Sequence, residues 1–135
     1  MGAWGVAAFE NDHACDYLLE ATTDGLVSLE EAFGVVLEAD GYLEAPEGER
    51  AVAAAELLVA LITGDTSQLP EGDLPDWAEA TPTARLEALR APALAALDRV
   101  TAPESELAEL WAETESHTAW HQEVEALRAR LRDDV

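Results

Sequence analysis

The chain has 135 residues with 29 acids against seven bases, all arginine, and a formal net charge of −22 at pH 7. A small polyanion repels phosphate, which argues against direct binding of DNA, RNA or an anionic membrane surface. Its length suits one domain, 1–135, with a core that needs no metal or disulfide, and a lone cysteine, Cys15, fits a reducing cytosol. The longest apolar run, Ala51 to Ile62, is too short to span a bilayer and is interrupted by Glu56. With no basic-then-apolar leader in the opening residues, the expected location is cytoplasmic.

Residues 1–10, with Trp4, Val6 and Phe9, form an apolar lead expected to dock on the body. Asn11 is a good N-cap for a first helix, and Asp12 suits its positive end. Ala14, Cys15, Leu18 and Leu19 make the expected buried stripe, and Asp12, Asp16 and Glu20 line the other side. Ser28 and Glu31 read as a capping box for a second helix, whose buried stripe is Leu29, Ala32, Phe33 and Val36. Gly34 in that helix offers room for a close helix–helix approach.

Pro46 suits an early helical position. The helix it opens, about 47–63, is apolar nearly all round from Ala51 onward and is expected to be central. Residues 65–82 hold Pro70, Gly72, Pro75 and Pro82 and form an irregular connector, pinned by Leu69, Leu74 and Trp77. From Thr83 to Val100 the apolar phase (Leu86, Leu89, Ala93, Leu97, Val100) passes unchanged across Pro92, which predicts one kinked helix. Thr101 to Glu104 reads as a second capping box, followed by Leu107, Leu110 and Trp111. After a polar break over 113–118 the stripe resumes with Trp120, Val124, Leu127 and Leu131. Arg128, Arg130 and Arg132 stand at the negative end of this last helix. No strand-type alternation and no internal repeat is visible, so the expected fold is all-α, an irregular bundle of about six helices.

Gly2, Trp4, Gly5, Phe9, Asn11, Asp12, Ala14 and Asp16 spell G-x-W-G-x-x-x-F-x-N-D-x-A-x-D. This opening resembles that of a bacterial family known only as domain of unknown function 4259. Tyr42 to Glu47 with Ala53 to Glu56 is similar to its second signature, and Ser105 to Leu107, Leu110, Trp111 and Trp120 to its third. The resemblance spans nearly the whole chain and implies no activity; His13, His117 and His121 stand outside its pattern.

Three groups of residues are candidates for function. Asp12, Asp16 and Glu20, with His13 beside them, are a cation site or a solvated acidic face; the composition favours the face. Asp16 is also placed to bond the backbone of the lead. Glu56 is the single charge in the apolar run, so it is expected to be at least partly buried, and a buried carboxylate needs a partner. It is either an acid/base or metal-ligating group, or a structural carboxylate accepting bonds from a Trp N–H, a Tyr O–H or the lead; the structural reading is preferred. His117 and His121 have the i, i+4 spacing of a zinc pair, but H-x-x-x-H alone is a weak signal and exposed histidines are the preferred reading.

No nucleophile elbow, phosphate loop or dinucleotide motif is present, and no cofactor or tightly bound metal is expected. The expectation is a non-enzymatic binding or inhibitor module, similar in character to an immunity protein, that meets a basic protein partner through Trp4, Asp12, Asp16, Glu20 or Glu56. The alternatives are a metal-assisted enzyme built on Glu56 and a scaffold whose charge serves solubility alone. Oligomeric state is not legible.

Overall fold

The computed structural model describes residue 5, residues 7–70 and residues 72–132. They form an all-α domain: α1 (Asp12–Asp24), α2 (Val27–Leu37), α3 (Ala45–Thr63), α4 (Thr83–Glu87), α5 (Arg90–Val100), α6 (Glu106–Ala112) and α7 (His117–Arg132), with a 3-10 turn at Asp76–Ala80. No strand occurs among the described residues. The α4 helix is little more than one turn, so the bundle has six longer helices.

α3 is the hub. It packs against α1, α2, α4, α5, α6 and α7, and α5 joins α2 to α7 on the far side. The reason is compositional: Ala51, Ala53, Ala54, Ala55, Leu57 and Leu58 are all fully buried, so α3 presents small or apolar surface on every side. Pro46 lies in its first turn, where a missing N–H costs nothing, and Gly64 ends it at φ 81°. Close approach between helices belongs to Gly48 rather than Gly34. A Cβ added at Gly48 would lie 3.3 Å from Leu107 Cδ2, on α6, whereas one at Gly34 would meet nothing.

Several helix ends differ from the sequence expectation. Asn11 caps α1 as expected, its Oδ1 accepting from Ala14 N–H at 2.8 Å. Ser28 does not cap α2. That helix already begins at Val27, so Ser28 lies inside its first turn and donates to the Gly25 carbonyl at 2.7 Å. The second capping box is absent too. The Thr101 hydroxyl closes the end of α5 by donating to the Leu97 carbonyl, and Ser105 caps α6. The chain before α6 is instead held to the chain before α3. Leu43 N–H donates to the Glu104 carbonyl at 2.7 Å, Glu106 N–H to the Leu43 carbonyl at 2.8 Å, and Ala45 N–H to Glu106 Oε1 at 2.7 Å. Glu104 takes a left-handed φ of 67° to make this turn.

The helix expected from Thr83 to Val100 is two helices, parted at Ala88 and Leu89. The break places Pro92 third in α5, where the helix does not need its N–H. Leu86, Leu89, Ala93, Leu97 and Val100 are all buried across the break, so the apolar phase survives it.

The stripe of α1 is shifted from expectation. Ala14, Tyr17 and Ala21 are buried, Cys15 and Leu18 are half-buried, and Leu19 is 68% exposed. Trp77 of the connector donates its indole N–H to the Ala21 carbonyl at 2.8 Å. Leu69 is buried and Leu74 half-buried, so the connector is pinned at the positions expected. At the other end of the molecule, Trp111 and Trp120 stack with ring centres 6.2 Å apart and close α6 on α7.

Candidate functional site

Trp4 lies outside the described residues. The part of the lead that is described is tied to α1 and its cap: Phe9 is buried, Cys15 Sγ donates to the Phe9 carbonyl at 3.3 Å, and Asn11 Nδ2 donates to the Ala8 carbonyl at 3.4 Å. Asp16 is exposed, and its expected bond to the Trp4-Gly5 backbone of the lead falls on a stretch that lies partly outside the described residues; Cys15 ties α1 to Phe9 instead of to that stretch. Burial, then the charges of Asp12 and Asp16, push the Cys15 thiol above its ordinary value.

Glu56 is 5% exposed and paired, but with none of the partners expected from the sequence. Arg130 of α7 reaches it as a fork, Nη1 to Oε1 at 2.6 Å and Nη2 to Oε2 at 3.2 Å. Both carboxylate oxygens are engaged, so Glu56 fastens α3 to α7. Two turns earlier on α3, Glu49 is also buried and meets His13 Nδ1 at 2.8 Å. Burial raises the Glu49 carboxyl above its ordinary value; the bond from His13 and its charge pull the other way, and Asp12 and Glu106 add to the rise. Sequence reasoning missed this pair. The available signal was the seven-residue spacing of Glu49 and Glu56, which sets both on one side of α3.

His117 and His121 stand on the first turn of α7 with rings edge to face, 4.6 Å between centres. Burial, then His117 and Arg128, hold His121 below its ordinary value. Glu125, one turn after His121, is drawn to Arg128. Among the described residues no three His, Cys, Asp or Glu side chains gather closely enough to hold a metal ion.

The acids of α1 behave differently. Asp12, Asp16, Glu20 and Asp24 follow one another at four-residue spacing, all exposed, and none has an ion-pair partner among the described residues. Five of the seven arginines are committed elsewhere, while Arg50 lines a cleft beside Glu20 and Asp24. Arg85 faces Glu30, Arg90 pairs with Glu87, Arg128 with Asp98 and Glu125, and Arg130 with Glu56. Arg99 donates to the Gly41 carbonyl. Leu19 lies on the same side of α1 as Asp12 and Asp16, three residues after one and seven after the other. α2 continues the mixture with exposed Val27, Glu31, Val35 and Glu38. Where α1, α2 and the start of α3 meet, a cleft of about 230 Å³ opens into this surface.

The sequence profile of the family described as "Domain of unknown function (DUF4259)" matches residues 2–123. The chain belongs to the DUF4259 family. Comparison with curated proteins and with solved structures returns no match. The DUF4259 match covers the lead, the acidic row of α1, both buried carboxylates of α3 and the first turn of α7, and stops short of Arg130. No helix among the described residues is long and apolar enough to cross a membrane.

Proposed function

We propose that this chain is a non-enzymatic binding module whose acidic α1–α2 face docks on a basic macromolecule, in the manner of an inhibitor or immunity protein. One observation carries the reading: Asp12, Asp16, Glu20 and Asp24 stand exposed and unpaired in a row, beside an exposed Leu19, while arginines of the same chain pair with acids elsewhere. In this reading the acidic charge steers the encounter, and Leu19 with the exposed Val27 and Val35 of α2 supplies the apolar contact.

The test is affinity capture from the native host with the full chain immobilised. Basic proteins bound at low salt and released as salt rises past about 0.3 M would support the reading, because exposed charges are screened within a few ångströms there. Capture indifferent to salt would oppose it.

A further inference from the structure

His117 opens α7 and His121 follows one turn later, with the helix continuous through both. The four-residue spacing therefore sets the two rings on one side. They meet edge to face with centres 4.6 Å apart, and Trp120 lies against His121 with centres 5.1 Å apart. Trp120 is itself buried and stacked on Trp111, so the His121 ring leans on a fixed wall.

The two rings are otherwise uncommitted. Neither makes a hydrogen bond or an ion pair among the described residues, and none of their nitrogens is a buried atom without a partner, so the nitrogens reach solvent. The remaining histidine is different: His13 spends Nδ1 on Glu49 at 2.8 Å. A neutral imidazole offers one nitrogen lone pair. Burial, then the neighbouring His117 and Arg128, favour that neutral form at His121, with Glu125 offsetting a part.

Two imidazole nitrogens on a tetrahedral ion stand about 2.0–2.1 Å from it and roughly 3.3 Å from each other. Rings with centres 4.6 Å apart can present that separation from one helix face. No third His, Cys, Asp or Glu among the described residues comes close enough to join them, so water completes the coordination. The net charge of −22 adds a field that draws cations to the surface.

The geometry points to His117 and His121 as a two-imidazole seat for a divalent transition-metal ion, Cu²⁺ most tightly and Zn²⁺ next. The order follows from nitrogen ligands in an open site, where intrinsic affinity rather than an enforced geometry selects the ion. The seat is on α7 and independent of the docking reading for the α1–α2 face.

Isothermal titration calorimetry of the full chain with CuCl₂ and then ZnCl₂ tests it, in about 0.15 M salt with excess Mg²⁺ to occupy the outer carboxylates. Saturable one-to-one binding of Cu²⁺ is expected, with Zn²⁺ about tenfold or more weaker. His117→Gln and His121→Gln should each weaken Cu²⁺ about tenfold or more, and His13→Gln should leave it unchanged. The double variant His121→Gln, Gln122→His keeps composition and charge but turns the second imidazole off the shared side, and should bind as poorly as His121→Gln. Quenching of Trp120 fluorescence by Cu²⁺ should saturate with the same stoichiometry in the parent and shift to higher concentration in both single variants. Thermal melts of the metal-free variants separate lost binding from lost fold; should His121→Gln unfold, His117→Gln, at the outer end of α7, carries the test. No saturable Cu²⁺ binding, Zn²⁺ bound as tightly as Cu²⁺, weakening by His13→Gln equal to that by His117→Gln, or full binding in the double variant would each overturn the site.

Discussion

Glu56 on α3 and Arg130 on α7 lie 74 residues apart in sequence and meet through two parallel hydrogen bonds. The pair is unequal: the Glu56 side chain is 6% exposed and the Arg130 side chain 35%. Stranding the carboxylate therefore costs more than stranding the guanidinium, which can turn to water. Arg130→Met should lower stability by about 3 kcal/mol, Glu56→Leu by less, and the double variant Glu56→Leu, Arg130→Met should recover most of the loss. Urea unfolding of the four proteins measures this. A loss under ~0.5 kcal/mol for Arg130→Met would place the pair among ordinary surface ion pairs.

Leu19 gives a sharp contrast with the core. At 68% exposure, Leu19→Asn should change stability by no more than about 0.5 kcal/mol. Leu58, fully buried in α3, should not tolerate a charge, and Leu58→Asp should unfold the chain. Thermal melts decide both. A loss of about 2 kcal/mol or more for Leu19→Asn would mean that Leu19 belongs to the core after all.

These cases also show what the sequence could and could not reveal. The apolar stripes of α2, α5 and α7 were legible because each has one phase that buries well. In α1 two adjacent stripes were available, and periodicity does not choose between them. Small Ala14 and Ala21 set beside Tyr17 chose, with Trp77 bonding the carbonyl of Ala21. Ser28 and Thr101 fit the capping pattern, yet tertiary contacts moved the true starts to Val27 and Glu106. The burial of Glu56 was readable from its place in an apolar run. Its partner was not, because a 74-residue contact leaves no local trace. The cleft where α1, α2 and α3 meet was invisible for the same reason: its lining residues come together only when the helices pack.

Glu49 makes stability depend on pH. Its carboxyl sits above the ordinary 4.5 in the folded chain, chiefly through burial, so the folded state holds that proton more tightly than the unfolded state does. The contribution of Glu49 to stability therefore falls as pH rises from 4.5 through the raised value. Glu49→Gln removes this fall. Urea unfolding of parent and variant should show the difference moving in the variant's favour between pH 4.5 and neutrality. A difference constant across that range would contradict the assignment.

Cys15 should be a sluggish nucleophile. Burial and the charges of Asp12 and Asp16 hold its thiol up, and its proton is directed at the Phe9 carbonyl. Alkylation by iodoacetamide in the folded protein should run about fivefold or more slower than for free cysteine at mildly alkaline pH, and should reach the free rate in urea. Equal rates in the folded and unfolded chain would show the thiol to be open.

The acidic row on α1 is the central claim, and charge reversal tests it most directly. Two triple variants would be compared in capture from the native host: Asp12→Arg, Asp16→Arg, Glu20→Arg on the row, and Glu113→Arg, Glu115→Arg, Glu123→Arg around the α6–α7 turn. All six positions are exposed and outside every ion pair among the described residues, so both variants should fold and both have the same net charge. The account predicts that the α1 variant loses a specific basic partner which the α6–α7 variant retains, with the association rate falling most. Equal retention or equal loss by the two variants would contradict it and leave the charge with no directed role.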